Sequence, residues 1–121
     1  MNLKMKETLA KILTALLKIS RTLIVNQSYT SSTVWAKRVN FTAPTSGVYR
    51  IRTPYSNAPV LGMAVGLSSA TSIAATIVFE NSTGASIDQI FWLDAGTYSV
   101  WTKCGGTGTN WVMCWRLIDM A

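Results

Sequence analysis

The chain has no histidine, two cysteines and five acidic residues in 121 positions, and each shortage removes a class of chemistry. Without histidine, a serine or cysteine nucleophile lacks its usual base. Cys104 and Cys114 cannot furnish the four ligands of a structural zinc site, so neither a metal nor any other cofactor is expected. Hydrolysis by paired carboxylates needs two acids converging on one cleft. Beyond Glu7 the chain offers Glu80, Asp88, Asp94 and Asp119, which read as isolated surface acids. The run Gly105-Gly106-Thr107-Gly108 lacks the lysine and helix that follow in a phosphate loop. No enzymatic activity is expected. Long apolar runs are missing too. No stretch can span a bilayer, and Lys11 and Lys18 interrupt any secretory signal.

Charge is sparse, at 13% of residues, while 49% are hydrophobic. That is a large apolar share for so short a chain, because a small domain buries only a modest fraction of its surface alone. A subunit interface would account for the excess. The net charge of +6 is concentrated at the N-terminus, in Lys4, Lys6, Lys11, Lys18 and Arg21. The remaining basic residues are scattered and form no stripe interleaved with aromatics, so a nucleic-acid partner is not expected.

What the N-terminus does have is a seam. Met5, Leu9, Ile12, Leu16, Ile19 and Leu23 alternate in steps of four and three, which keeps one narrow apolar line facing a partner helix. With Leu at a and Met or Ile at d the pattern disfavours two strands, and we expect a homotrimeric coiled coil over residues 1–24, about 33 Å long at roughly 1.5 Å per residue. Two other readings stand beside it: an amphipathic helix folded back on its own domain, since Leu13, Leu17 and Ile24 lie off the seam, and a basic helix lying on a membrane surface.

Residues 25–32 are small and polar and read as a linker. From 33 to 121 the pattern is that of strands, expected at 33–42, 48–53, 59–66, 74–80, 87–93, 97–104 and 110–118 and separated by Pro, Gly, Asn, Asp and Ser clusters. The fold class is mainly β: an antiparallel β-sandwich or jelly roll preceded by one helix. In 59–66 the residues Gly62, Ala64 and Gly66 leave one face nearly bare, inviting close approach. In 110–118, Trp111, Met113, Trp115 and Leu117 oppose Val112, Cys114 and Ile118. Apolar side chains on both faces imply that the outer face is covered, most simply by a neighbouring subunit. All five tryptophans are expected in the core or an interface. Gly105–Thr109 reads as a hairpin turn in whose register Cys104 opposes Trp111 and Cys114 opposes Trp101, so both thiols should be free.

Phe41-Thr42-Ala43-Pro44-Thr45-Ser46-Gly47-Val48-Tyr49 and Leu93-Asp94-Ala95-Gly96-Thr97-Tyr98, following a short coiled coil, resemble the trimeric fibre heads and appendage proteins of tailed bacteriophages, whose heads are similar to C1q and tumour-necrosis-factor modules. The resemblance implies a homotrimeric virion protein made in the bacterial cytoplasm, anchored to another virion protein by its stalk and binding a glycan or protein receptor on a bacterial surface. The alternative is a membrane-active, pore-forming protein that uses its basic N-terminal helix.

Counting strand crossings from the helix places the loops at Ala43–Gly47, Gly66–Ser72 and Asp94–Gly96 together at the end remote from it. Their hydroxyls and acid, Thr45, Ser46, Ser68, Ser69, Thr71, Ser72 and Asp94, are the receptor-binding candidates. One hidden strand in 67–74 would flip the later loops and shift the choice to Tyr55, Asn57, Thr107 and Asn110.

Overall fold

A computed structural model of the chain describes residues 2–17, 22–54, 57–73 and 77–119. Helix α1 spans Leu3–Leu17. It starts where Asn2 Oδ1 accepts the Met5 amide at 2.8 Å, an N-cap that satisfies one of the unpaired first-turn donors. Residues 2–12 are all exposed. Met5, Leu9 and Ile12, at 56, 44 and 51% exposure, therefore present their seam to solvent instead of folding it against the head. Ile19 lies outside the described residues.

Eight strands follow: β1 (Thr22–Thr30), β2 (Ala36–Ala43), β3 (Gly47–Thr53), β4 (Val60–Leu67), β5 (Ile77–Ala85), β6 (Ile87–Leu93), β7 (Gly96–Cys104) and β8 (Thr109–Asp119). They pair antiparallel in two four-stranded sheets, β1-β8-β3-β6 and β2-β7-β4-β5. Successive strands thus go to opposite sheets, except β4 and β5, which pair within one, and this is the winding of a jelly roll.

β1 is the largest departure from the sequence reading. The helix expected to residue 24 is described over Leu3–Leu17, but residues 22–24 are already strand, the expected linker at 25–32 is mostly strand, and the sandwich takes in Thr22–Thr30 ahead of residue 33. Leu23 belongs to a strand opposite Trp115 and not to a helical seam. The cause is tertiary. β8 offers a free edge, and Leu23-Ile24-Val25 fits a pleated, half-buried surface better than a helix.

The Gly105–Thr109 hairpin is also corrected. β7 and β8 lie in different sheets, with Cys104 beside Val60 and Asn110 beside Tyr29. The segment between them crosses from sheet to sheet, held by bonds from Gly105 N to the Pro59 carbonyl (2.8 Å) and from Ser31 N to the Gly108 carbonyl (2.8 Å). Gly108 is needed there for space, since a Cβ would sit 2.7 Å from that of Asn57.

The inner faces alternate as expected, and Tyr49, Ile51, Met63, Val65, Val100 and Val112 are fully enclosed. Phe41 and Tyr98 stack with ring centroids 5.7 Å apart. The two motif strings share one local device. Tyr49 Oη donates to the Thr45 carbonyl and Tyr98 Oη to the Asp94 carbonyl, each at 2.6 Å and each four residues back, with Gly47 and Gly96 between. A buried tyrosine thereby ties each turn to the strand that follows it.

Both cysteines are free and buried. Tyr29 Oη and Cys104 Sγ lie 3.7 Å apart. Burial, with the neighbouring Cys104 adding to it, pushes the Tyr29 phenol up to about 12, and burial alone pushes the Cys114 thiol up to about 12. These groups keep their protons in the folded head after the unfolded chain has released its own, near 8.5 for Cys and 10 for Tyr. The unfolded state then binds fewer protons, so stability is complete below about pH 8.5 and falls from there towards pH 12. We expect the urea midpoint to drop between pH 8 and 11, and the Cys114→Ala variant to lose the early part of that drop. Native protein should resist thiol reagents, and both thiols should titrate on unfolding.

Candidate binding surfaces

Because β1 adds a crossing before β2, strand parity inverts. The loops at 44–46, 68–73 and 94–95 do cluster at one end, but Gly47 and Thr22 pair there with opposite ends of the same short stretch of β8, Asp119 and Arg116. This is where the chain enters the head from α1, so these loops form a collar on the helix side and not the remote tip.

Within the collar the candidates divide. Ser46 Oγ accepts the Ala95 amide at 3.0 Å, Asp94 Oδ1 accepts Trp92 Nε1 at 2.9 Å, and the Ser68 carbonyl accepts Lys37 Nζ at 2.9 Å. Thr45 is half-buried, and its carbonyl holds Tyr49. Ser69, Thr71 and Ser72 are exposed. Thr45, Ser46, Ser68 and Asp94 thus brace the loops, while Ser69, Thr71 and Ser72, and Asp94 with them, are exposed to solvent.

The remote end is made by 31–35, 54, 57–59 and 105–108. Asn110, expected to be available there, is fully buried: its Oδ1 accepts the amides of Asn57 (3.0 Å) and Ala58 (3.2 Å), and its Nδ2 donates to the Ala58 carbonyl (2.8 Å). It is a structural clamp, leaving Asn57 and Thr107 exposed. Tyr55 lies outside the described residues.

Of the two places expected for the tryptophans, core or interface, the core is excluded, since none of them belongs to the core cluster. The outer face of the β2-β7-β4-β5 sheet carries Gly62, Ala64, Gly66 and Ser99, all buried although they point away from the core. Trp35 lies over Gly62, where a Cβ would come within 2.4 Å of the indole. Lys37 reaches over the Trp101 ring, Nζ 5.4 Å from its centroid, to the Ser68 carbonyl. The bare strip read in the sequence is therefore a seat for the chain's own side chains.

The outer face of the β1-β8-β3-β6 sheet is not covered in this way. Register sets Leu23, Trp115, Arg50 and Ile90 in one row across all four strands, with Trp92 beside Val48 and Trp111 beside Ser28. Leu23, Ile90, Trp92 and Trp111 are 53, 60, 49 and 37% exposed. The Arg50 guanidinium lies 5.2 Å over the Trp115 ring and forms a two-pronged ion pair with Asp88. Apolarity on both faces of β8 was legible in the sequence, but which face turned inward was not.

Among the described residues no group of acidic or cysteine side chains could hold a metal ion, and no helix is long and apolar enough to cross a membrane. No protein-family model and no curated protein matches the chain. Two solved structures are similar to it. The C-terminal domain of A223, a structural protein from sulfolobus turreted icosahedral virus, is 17% identical at a TM-score of 0.48, covering 82% of this chain and 100% of that one. A carbohydrate-binding module from Cellvibrio mixtus lichenase 5A, in complex with cellotriose, is 16% identical at 0.43, covering 83% of this chain and 88% of that one.

Proposed function

We propose that the chain is the subunit of a homotrimeric virion appendage, a β head on a helical stalk that binds glycan on a bacterial surface. The observation that carries the reading is the open seam of α1. Met5, Leu9 and Ile12 form an apolar line with no cover from their own head, and a helix of this length gains stability mainly by packing that line against a partner. The phage assignment rests on the resemblance of the two turn motifs. The glycan assignment rests on the collar, whose exposed Ser69, Thr71 and Ser72 suit sugar hydroxyls while offering little apolar contact. Single-site affinity is accordingly weak, and three copies on one stalk raise it by roughly two to four orders of magnitude through avidity.

The test is binding to immobilised bacterial surface glycans and to whole cells. Ser69→Ala/Thr71→Ala should weaken binding at least about tenfold with the oligomer intact, whereas Asn57→Ala/Thr107→Ala at the remote end should leave it unchanged. The reverse result would place the receptor site at the remote end. Leakage of liposomes by the wild-type chain would favour the pore-forming alternative instead.

A further inference from the structure

We infer that the outer face of the β1-β8-β3-β6 sheet is an interface between heads, and that its occupant is a second copy of this chain. The inference rests on the proposed self-association through α1 and goes beyond it by assigning a surface of the head.

The first argument is size. Strands about 4.8 Å apart and about 3.3 Å per residue, four across and seven residues long in β3 and β6, give a face of about 450 Å². Part of that face is the charged trio Arg50, Arg52 and Asp88, and the apolar remainder around Leu23, Ile90, Trp92 and Trp111 is of the size that marks a functional patch on a monomer. Yet it falls short of the roughly 800 Å² per partner that a stable pair buries, so the occupant must bring further contact from elsewhere. A second copy does so, because its α1 seam is a further uncovered apolar surface among the described residues.

Continuity is the second argument. α1 ends at Leu17 and β1 begins at Thr22, so at most four residues separate the seam from the edge strand of this face. Leu23, the second residue of β1, already stands in the row with Trp115 and Ile90. Copies joined along the seam are thereby delivered to one another at this face.

Charge is the third. Each chain carries a net +6, and copies meeting through basic surface would repel. Here Asp88 neutralises Arg50 within the face, and the cation lies against Trp115. Arg52 stands exposed beside Asp88 in the adjoining row. The Leu23–Trp115–Arg50–Ile90 row therefore presents area without net charge, and with the Arg52 cation added beside it a second copy meets little repulsion there.

The experiment uses the full chain bearing Ile90→Lys/Trp111→Lys, two side chains that point to solvent in the single subunit. Assembly is followed by sedimentation across a dilution series, with circular dichroism as the check on folding and Ile90→Gln/Trp111→Gln as the milder variant should the first lose its β signal. A folded variant whose dissociation constant rises about a hundredfold or more supports the inference. A folded variant that assembles like wild type overturns it while leaving the seam, and the proposed function, in place. A wild-type chain that is monomeric overturns both. Cosedimentation with phosphatidylglycerol vesicles runs alongside: lipid binding by wild type that the variant loses, with assembly unchanged, assigns the face to membrane and overturns the proposal.

Discussion

Replacing Leu9 with Asp should disperse the oligomer and leave the head folded. Leu9 is 44% exposed in the single chain and lies between Met5 and Ile12 on the open seam. Assembly would place one carboxylate from each chain on the common axis. Each loses water there and faces its like, at a cost of several kcal/mol, and every 1.4 kcal/mol is about tenfold in association. The loss should therefore reach about a thousandfold, enough to give a monomer at micromolar concentration by sedimentation velocity. Circular dichroism of the strands should not change, because residues 2–12 bury nothing against the sandwich. Loss of the β signal together with the oligomer would mean that the helix supports the head directly, contrary to this account.

Tyr49→Ala should have the largest effect on the head itself. The ring is fully buried among the inner side chains, and its hydroxyl holds the Thr45 carbonyl at 2.6 Å. Truncation removes the aromatic contact, leaves a cavity and strands the turn, which together cost about 3–5 kcal/mol. At about 4–8 °C per kcal/mol for a domain of this size, the melting temperature should fall by roughly 12 °C or more. Tyr49→Phe keeps the packing and should lose only about 1 kcal/mol. Equal effects from the two variants in urea titration would show that the bond to Thr45, and not the packing, governs stability.

The difference between these residues and the misread ones explains what a single sequence makes visible. Strands β2, β3 and β6 to β8 announce themselves because inward residues recur at every second position: Val39, Phe41 and Ala43, or Tyr49, Ile51 and Thr53, are all buried, whereas β5, expected at 74–80 and found at Ile77–Ala85, exposes Ile77 and Val78. β1 has one buried residue, Tyr29, beside Asn26, Gln27 and Ser28, which face solvent on a sheet edge. With so little alternation, the chance fit of Leu23 to a four-three spacing carried the helix too far. That single missed strand also moved the candidate loops from the tip to the collar, since parity groups loops correctly but fixes which end they occupy only when every crossing is counted. The 105–108 turn failed for a different reason. Glycines and threonine permit a hairpin or a crossing between sheets equally well, and the choice is made by distant partners, Pro59 and Ser31.

The tryptophans show the same limit. Their periodicity identified them as facing one side of a strand, while Val112 and Cys114 on the other side of β8 turned out to be the core. A large apolar residue on an outer face looks like core until its register is known, and only then like an interface.

The central claim is that this chain is built to assemble through apolar surface it cannot cover alone. Sedimentation equilibrium of the wild-type full chain at micromolar concentration tests it most directly. The account predicts a species of three times the 13.2 kDa chain mass, dissociating on dilution. A single species of 13.2 kDa at all concentrations would contradict it.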